Sequence, residues 1–223
     1  MPYRMKNPSR SHFADNPVIH REIRTMLARF GEPSRSRMRA KIGHDRAALR
    51  KHETDQADAS ARHTYREFVV GLHLLRNGFS PEYNRRLDGK TPDWFDERRR
   101  LVLEVFTCER GASPAAQRLV SRMVVKTQKY AGAVRAHSLA FVIAVYADSL
   151  SGFAFDDCRR AITDAGVFVQ YPELSGILYF AEQPAGHLNS ETGTANHTPL
   201  REFEYLPNPN ALQPINLPGR TLQ

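Results

Sequence analysis

The chain has 223 residues, 41% of them hydrophobic and 25% charged, a length and composition that suit one sizeable domain with appendages. No apolar run approaches the roughly 18 residues a membrane span needs, and Met1 to Arg10 is polar and basic with no apolar stretch behind it, so no secretory signal is expected. The net charge is +8, and residues 1–52 hold 13 Lys/Arg against four acids, so the whole excess lies in the first quarter of the chain.

Such a basic arm is attracted to polyanions, of which nucleic acid is the commonest in a cytoplasm. The two cysteines, Cys108 and Cys158, form no CxxC pattern. Neither a Cys-based zinc site nor a disulfide framework is implied, and a reduced, cytoplasmic setting is the expectation.

In chain order, residues 1–16 read as disordered. Val18, Ile19, Ile23, Met26, Leu27 and Phe30 recur at helical spacing and predict a helix from Pro17 to Phe30, broken by Gly31-Glu-Pro-Ser34. From Ser34 to Ala57 the apolar residues Met38, Ile42 and Leu49 are too sparse for a core. That stretch reads as a marginal helix, or as a linker that orders on a partner. Arg35, Arg37, Arg39 and Lys41 make it a candidate nucleic-acid contact.

The compact domain is expected to begin near Asp58. Tyr65, Phe68, Val69, Leu72 and Leu75 predict an amphipathic helix over 61–77, ended by Asn77-Gly78. Thr91–Phe95 and Leu101–Phe106 read as two strands joined by the polar turn 96–100. Ser113-Pro114 opens a helix running to His137. Leu139–Ala147 is a continuous apolar run of strand length, expected at the centre of a sheet covered on both faces. A helix over 155–165 and a strand over 176–181 follow.

Beyond Glu182 come six prolines and one short strand at 201–206. The predicted organisation is a basic, partly helical arm (1–57), an α/β core with a mixed sheet flanked by helices (58–182), and a Pro/Asn-rich tail packing on the core (183–223).

Two carboxylates stand out. In a strand over 101–106, alternation puts Val102, Glu104 and Phe106 on one face and Leu101, Leu103 and Val105 on the other. An acid in so apolar a strand is costly to bury without a partner, which a metal ion, a salt bridge or surface exposure would each provide. Asp93 lies on the preceding hairpin strand, within reach of Glu104. Paired carboxylates at that separation repel unless a cation lies between them, and oxygen ligands suit Mg²⁺ or Mn²⁺. The alternative for Glu104 is a structural ion pair with a lysine such as Lys126, and for Asp93 local pairing with Arg98 to Arg100.

Thr91-Pro92-Asp93-Trp94, ten residues, then Glu104-Val105-Phe106-Thr107 resembles the core motif of the PD-(D/E)XK nuclease superfamily. The resemblance covers about 80 residues, from Tyr65 to Tyr146. It implies a restriction-endonuclease-like core and a metal-dependent phosphodiesterase acting on nucleic acid, DNA before RNA. Asp93 and Glu104 would hold Mg²⁺ or Mn²⁺, assisted by Glu67 on the preceding helix and by the backbone carbonyl of Val105.

The chain departs from the family at Phe106, which stands where the motif lysine belongs. Lys126 is the candidate substitute, because it shares a stripe with Leu119, Met123 and Tyr130 at i, i+4, i+7 and i+11. Lys90 is a second candidate. Lys129 falls with Arg118, Arg122 and Val125 and is expected to be solvated or on phosphate. Should no lysine reach the metals, the fold would serve as a binding or assembly module without catalysis. Many nucleases of this type act as dimers, so a second copy or a partner protein is a further candidate. The Pro/Asn-rich tail could dock on the core or on such a partner. GxGxxG, Walker, GxSxG, HExxH and zinc-deaminase patterns are absent from the sequence.

Overall fold

The computed structural model describes residues 17–52, 55–108, 114–147, 153–183 and 200–219. The expectation of disorder for residues 1–16, and whatever concerns 184–199, lies outside the described residues. The chain divides into two compact units, Met1–Phe68 and Val69–Gln223. The division falls inside a helix, α3 (Asp55–Arg76), later than the 57/58 border drawn from the sequence.

In the first unit, α1 (Pro17–Arg29) and α2 (Ser34–His52) precede α3. The segment read as a marginal helix or linker is thus helical through His52. Its few core residues suffice because they share one stripe: Ser34, Met38, Asp45 and Leu49 are buried at i, i+4, i+11 and i+15. The acid in that stripe is satisfied by the Thr64 hydroxyl at 2.6 Å and by Lys41 at 3.3 Å. α3 begins at Asp55 rather than Ala61. Its first turns are polar, so apolar periodicity does not announce them.

In the second unit, six strands form one mixed sheet in sequential order. At its centre lie β3 (Leu101–Cys108), β4 (Ala140–Ala147) and β5 (Leu174–Gln183). All of β4 is buried, and β3 is nearly so. Strands with so little alternation are stable only where both faces are covered. The three pair in parallel, with Leu101 opposite Ala140 and Ile143 opposite Ile177.

The flanking strands run antiparallel: β2 (Trp94–Asp96) on β3, β1 (Glu82–Tyr83) on β2, and β6 (Leu200–Pro207) on β5. The two-residue β1 is too short to show a period in sequence. β6 is a full edge strand of eight residues, where a shorter one was expected.

α4 (Ala115–His137) crosses from β3 to β4, and α5 (Phe155–Asp164) with the short α6 (Val167–Gln170) crosses from β4 to β5. Leu119, Met123, Tyr130 and Val134 of α4 pack with Ile162 and Val167 on the sheet face formed by Val102, Phe141, Ile143, Val145 and Ile177. On the other face, the part of α3 that belongs to this unit meets the sheet. His73 stacks on Phe203, ring centres 3.7 Å apart, and Phe203 stacks on Phe180.

The described tail residues have no regular structure but are tied to β5 and β6. Asn208 Nδ2 donates to the Leu174 carbonyl at 2.6 Å, Ser175 Oγ to that of Gln213 at 2.7 Å, and Tyr205 Oη to that of Ile215 at 3.0 Å. No helix among the described residues is long and apolar enough to cross a membrane.

Candidate carboxylate and lysine site

The hairpin that carries the acids is built locally. Asp96, buried at the end of β2, accepts the Arg99 amide at 2.8 Å, and Arg100 closes the turn with φ 52°. Trp94 pairs with Leu103 and Asp96 with Leu101. Just outside β2, Asp93 lies close enough to Glu104 for the two charges to interact.

Val105 N–H points to that edge and donates to Asp93 Oδ2 at 2.7 Å. In an antiparallel ladder a residue's N–H and C=O serve the same partner, so the Val105 carbonyl points there too.

Glu104 faces α4 from the middle of β3 and is 3% exposed. Lys126 Nζ donates to its Oε2 at 2.5 Å, Lys129 Nζ approaches Oε1 at 3.4 Å, and the Tyr130 hydroxyl donates to Oε1. These donors offset the desolvation that a bare carboxylate would suffer in this strand. Lys126 and Tyr130, four residues apart on α4, reach the acid together because they share a helical stripe. Lys129 bends to it from the neighbouring face. Its ammonium also lies 4.6 Å from the centre of the Tyr130 ring.

Lys90 arrives from a different direction. Leu87 and Lys90 exchange both backbone hydrogen bonds at 2.8 Å around Asp88-Gly89, each at positive φ, a two-residue hairpin turn. The turn carries the Lys90 ammonium to the Lys129 carbonyl, 6.0 Å from the Tyr130 ring centre.

Burial, and then the neighbouring Glu104 charge, raise the Asp93 carboxyl to about 7, against the pull of Lys126, the Val105 amide and Lys129. Asp93 thus remains short of positive charge although lysines stand close by. Its carboxylate accepts the Val105 amide, and its backbone carbonyl accepts that of Asn84 at 3.1 Å. Burial and Glu104 push the Tyr130 hydroxyl far above its usual range, so it stays a donor.

Neither protein-family models, nor curated proteins, nor solved structures match this chain.

Asp93, Glu104, Val105, Lys126, Lys129 and Lys90 come together in the sheet unit. Tyr130 joins them. It was counted in the sequence as a stripe residue, and its position four residues after Lys126 was the available signal. Phe106 shares the sheet face of Glu104 and packs, half-buried, against the apolar cluster under α4 and α5.

The other candidates belong to the helical unit. Glu67 is buried and pairs with His63 at 3.3 Å. Arg35 donates to the Phe30 carbonyl at 2.9 and 2.6 Å, closing the end of α1, and Lys41 pairs with Asp45. Arg37 is half-buried, and Arg39 is exposed.

The donor set around Asp93 fits a hard divalent cation. Two carboxylates and a backbone carbonyl are oxygen ligands of the kind Mg²⁺ and Mn²⁺ take, and a cation would offset the burial and the Glu104 charge that hold Asp93 protonated. Both Glu104 oxygens already have donors, so an ion would share Glu104 with Lys126 or displace it.

Proposed function

We propose that this chain is a metal-dependent nucleic-acid phosphodiesterase with a PD-(D/E)XK-type, restriction-endonuclease-like core, and that DNA is its substrate. The observation that carries the reading is the closeness of the Asp93 and Glu104 charges at the hairpin, with Lys126 bound to Glu104 at 2.5 Å. An acid pair with a lysine beside it is the set a PD-(D/E)XK-type phosphodiesterase uses, and here the lysine comes from α4 instead of the motif position Phe106. The order helix, hairpin, helix, parallel strand supports the same reading.

Asp93, Glu104 and the Val105 carbonyl would hold Mg²⁺ or Mn²⁺, which when bound acidifies a water and neutralises charge on the scissile phosphate. Lys126 Nζ orients the attacking water and stabilises the charge that develops on the phosphate oxygens. Tyr130 Oη fixes the Glu104 carboxylate through Oε1. Lys129 and Lys90 bind the flanking phosphates as ammonium donors. A reducing, cytoplasmic setting suits Cys108 and Cys158, both free thiols and buried. Cutting both strands of a duplex would call for a second copy of the chain.

One observation favours a second reading. With Lys126, Lys129 and Tyr130 on its two oxygens, Glu104 is satisfied as it stands, and Phe106 offers no lysine. On that reading the core binds nucleic acid, or assembles with a partner, without cutting.

Plasmid cleavage with Mg²⁺ or Mn²⁺ against EDTA, with Asp93→Ala and Glu104→Ala alongside, separates the two. Metal-dependent cutting lost in both variants supports the phosphodiesterase, whereas cutting retained in them overturns it. Absence of cutting with salt-sensitive DNA binding intact supports the second reading.

A further inference from the structure

α2 sorts its residues by charge around the helix. Its buried stripe includes Asp45, the one acid of the helix, bound by Thr64 and Lys41. Its exposed residues include Ser36, Arg39, Ala40, Gly43, Arg46, Ala47 and Lys51. At 100° per residue these form one stripe about 22 Å long. A ridge of small residues (Ser36, Ala40, Gly43 and Ala47) runs along it, with Arg39 and Arg46 on one flank and Lys51 on the other.

The stripe holds no acid and no apolar side chain larger than alanine. Lys51 makes no hydrogen bond or ion pair with a described residue, Arg39 lies in the field of Glu32 without a hydrogen bond to it, and Arg46 meets His20 Nδ1 at 2.6 Å. Gly43 is not demanded by packing, since a Cβ there would meet nothing within 4 Å. A glycine at mid-helix costs about 1 kcal/mol relative to alanine, a cost the fold of this unit does not explain. α1 adds Arg21, Arg24 and Arg29, all exposed.

We infer that the exposed face of α2 docks on the phosphate backbone of double-stranded nucleic acid, without metal, as a site of the helical unit. Charge complementarity selects the partner. The small-residue ridge lets the helix backbone approach closely, as the roughly 12 Å wide major groove of a duplex permits, while the flanking side chains reach phosphates. An anionic membrane is the poorer match, because a helix lying in a lipid interface buries large apolar side chains that this face lacks.

The docking residues differ from those the sequence singled out. Arg35 and Lys41 are spent inside the unit, Arg39 stays, and Arg46 and Lys51 join it. The inference deepens the nucleic-acid reading but does not rest on cleavage.

The test is fluorescence anisotropy of a labelled DNA duplex with the full chain in EDTA, across a salt series, with circular-dichroism melts to check each variant's fold. Arg39→Ala/Arg46→Ala/Lys51→Ala is expected to weaken binding about tenfold or more and to flatten the salt slope by roughly two to three. Gly43→Leu keeps the charge, adds bulk to the ridge and is expected to weaken binding severalfold. Affinity and slope unchanged in both variants overturn the inference, as does tighter binding to phosphatidylserine vesicles than to the duplex. Because EDTA excludes turnover, the result is independent of whether the carboxylate site cuts.

Discussion

Lys126 Nζ and Glu104 Oε2 meet at 2.5 Å between α4 and the centre of β3, so one contact serves both the fold and the proposed chemistry. The Glu104 side chain is 5% exposed and that of Lys126 21%. Glu104→Gln keeps the shape but leaves Lys126 without its counter-ion. We expect it to cost roughly 2–4 kcal/mol in urea unfolding and to abolish metal-dependent cleavage. Lys126→Met is expected to cost less stability, because Lys129 and Tyr130 remain on Oε1.

The lysine's position is open to a transplant. Lys126→Ala is expected to lower single-turnover cleavage by about 10²-fold or more, the scale of losing one positioned charge. Phe106→Lys in that background puts an ammonium on the same face of β3 as Glu104 and is expected to restore part of the loss. A double variant no faster than Lys126→Ala would show that this face of β3 cannot deliver the group.

Asp93 gives a pH signature in EDTA. The unfolded carboxyl ionises near the ordinary aspartate value of 3.8, whereas the folded one holds its proton to about 7. The folded state therefore loses stability as pH rises from about 4 to 7 and keeps that deficit above 7. Asp93→Asn removes the effect. It should melt close to the parent at pH 4 and above it at pH 8, and equal melting temperatures at pH 8 would contradict the assignment. Adding Mg²⁺ should raise the parent's melting temperature at pH 8 far more than at pH 5, where proton and metal compete for Asp93.

His73 has the opposite sign. Burial lowers it to about 4 from the usual 6.5, against the opposing pull of the Pro218 backbone. As pH falls from about 6.5 to 4, the unfolded chain takes up the proton first, so this part of the stability is present at neutral pH and lost in acid. His73→Phe keeps the stack on Phe203 and is expected to flatten the acid limb of the melting profile.

At Gly71, α3 lies directly against Trp94. A Cβ there would lie within the van der Waals envelope of the Trp94 indole, which is 1% exposed. Gly71→Ala, favourable in an ordinary helix, should destabilise by roughly 2–3 kcal/mol and disturb Asp93 next to Trp94. Chemical denaturation together with Mg²⁺ titration would report both effects.

Much of the site was legible in the sequence because it depends on period. A repeat of two placed Glu104 on the opposite face from Val105, and a repeat of 3.6 placed Lys126 on the stripe of Leu119, Met123 and Tyr130. The unalternating run 139–147 announced a central strand. The same periods misjudged α2, where the sparse Met38 and Leu49 suffice only because Asp45 between them is satisfied by Thr64 from another helix.

What the sequence alone determined, then, is which residues share a face, since that follows from local backbone geometry. Tertiary structure alone decided which faces meet and at what distance. It turned Lys129 onto Glu104, because a four-carbon side chain can cross from its own helical stripe. It carried Lys90 to α4 on the Asp88-Gly89 turn, and it spent Arg35 and Lys41 inside the helical unit. It also raised the proton affinity of Asp93, because desolvation and a neighbouring charge depend on packing and carry no signature in the order of residues.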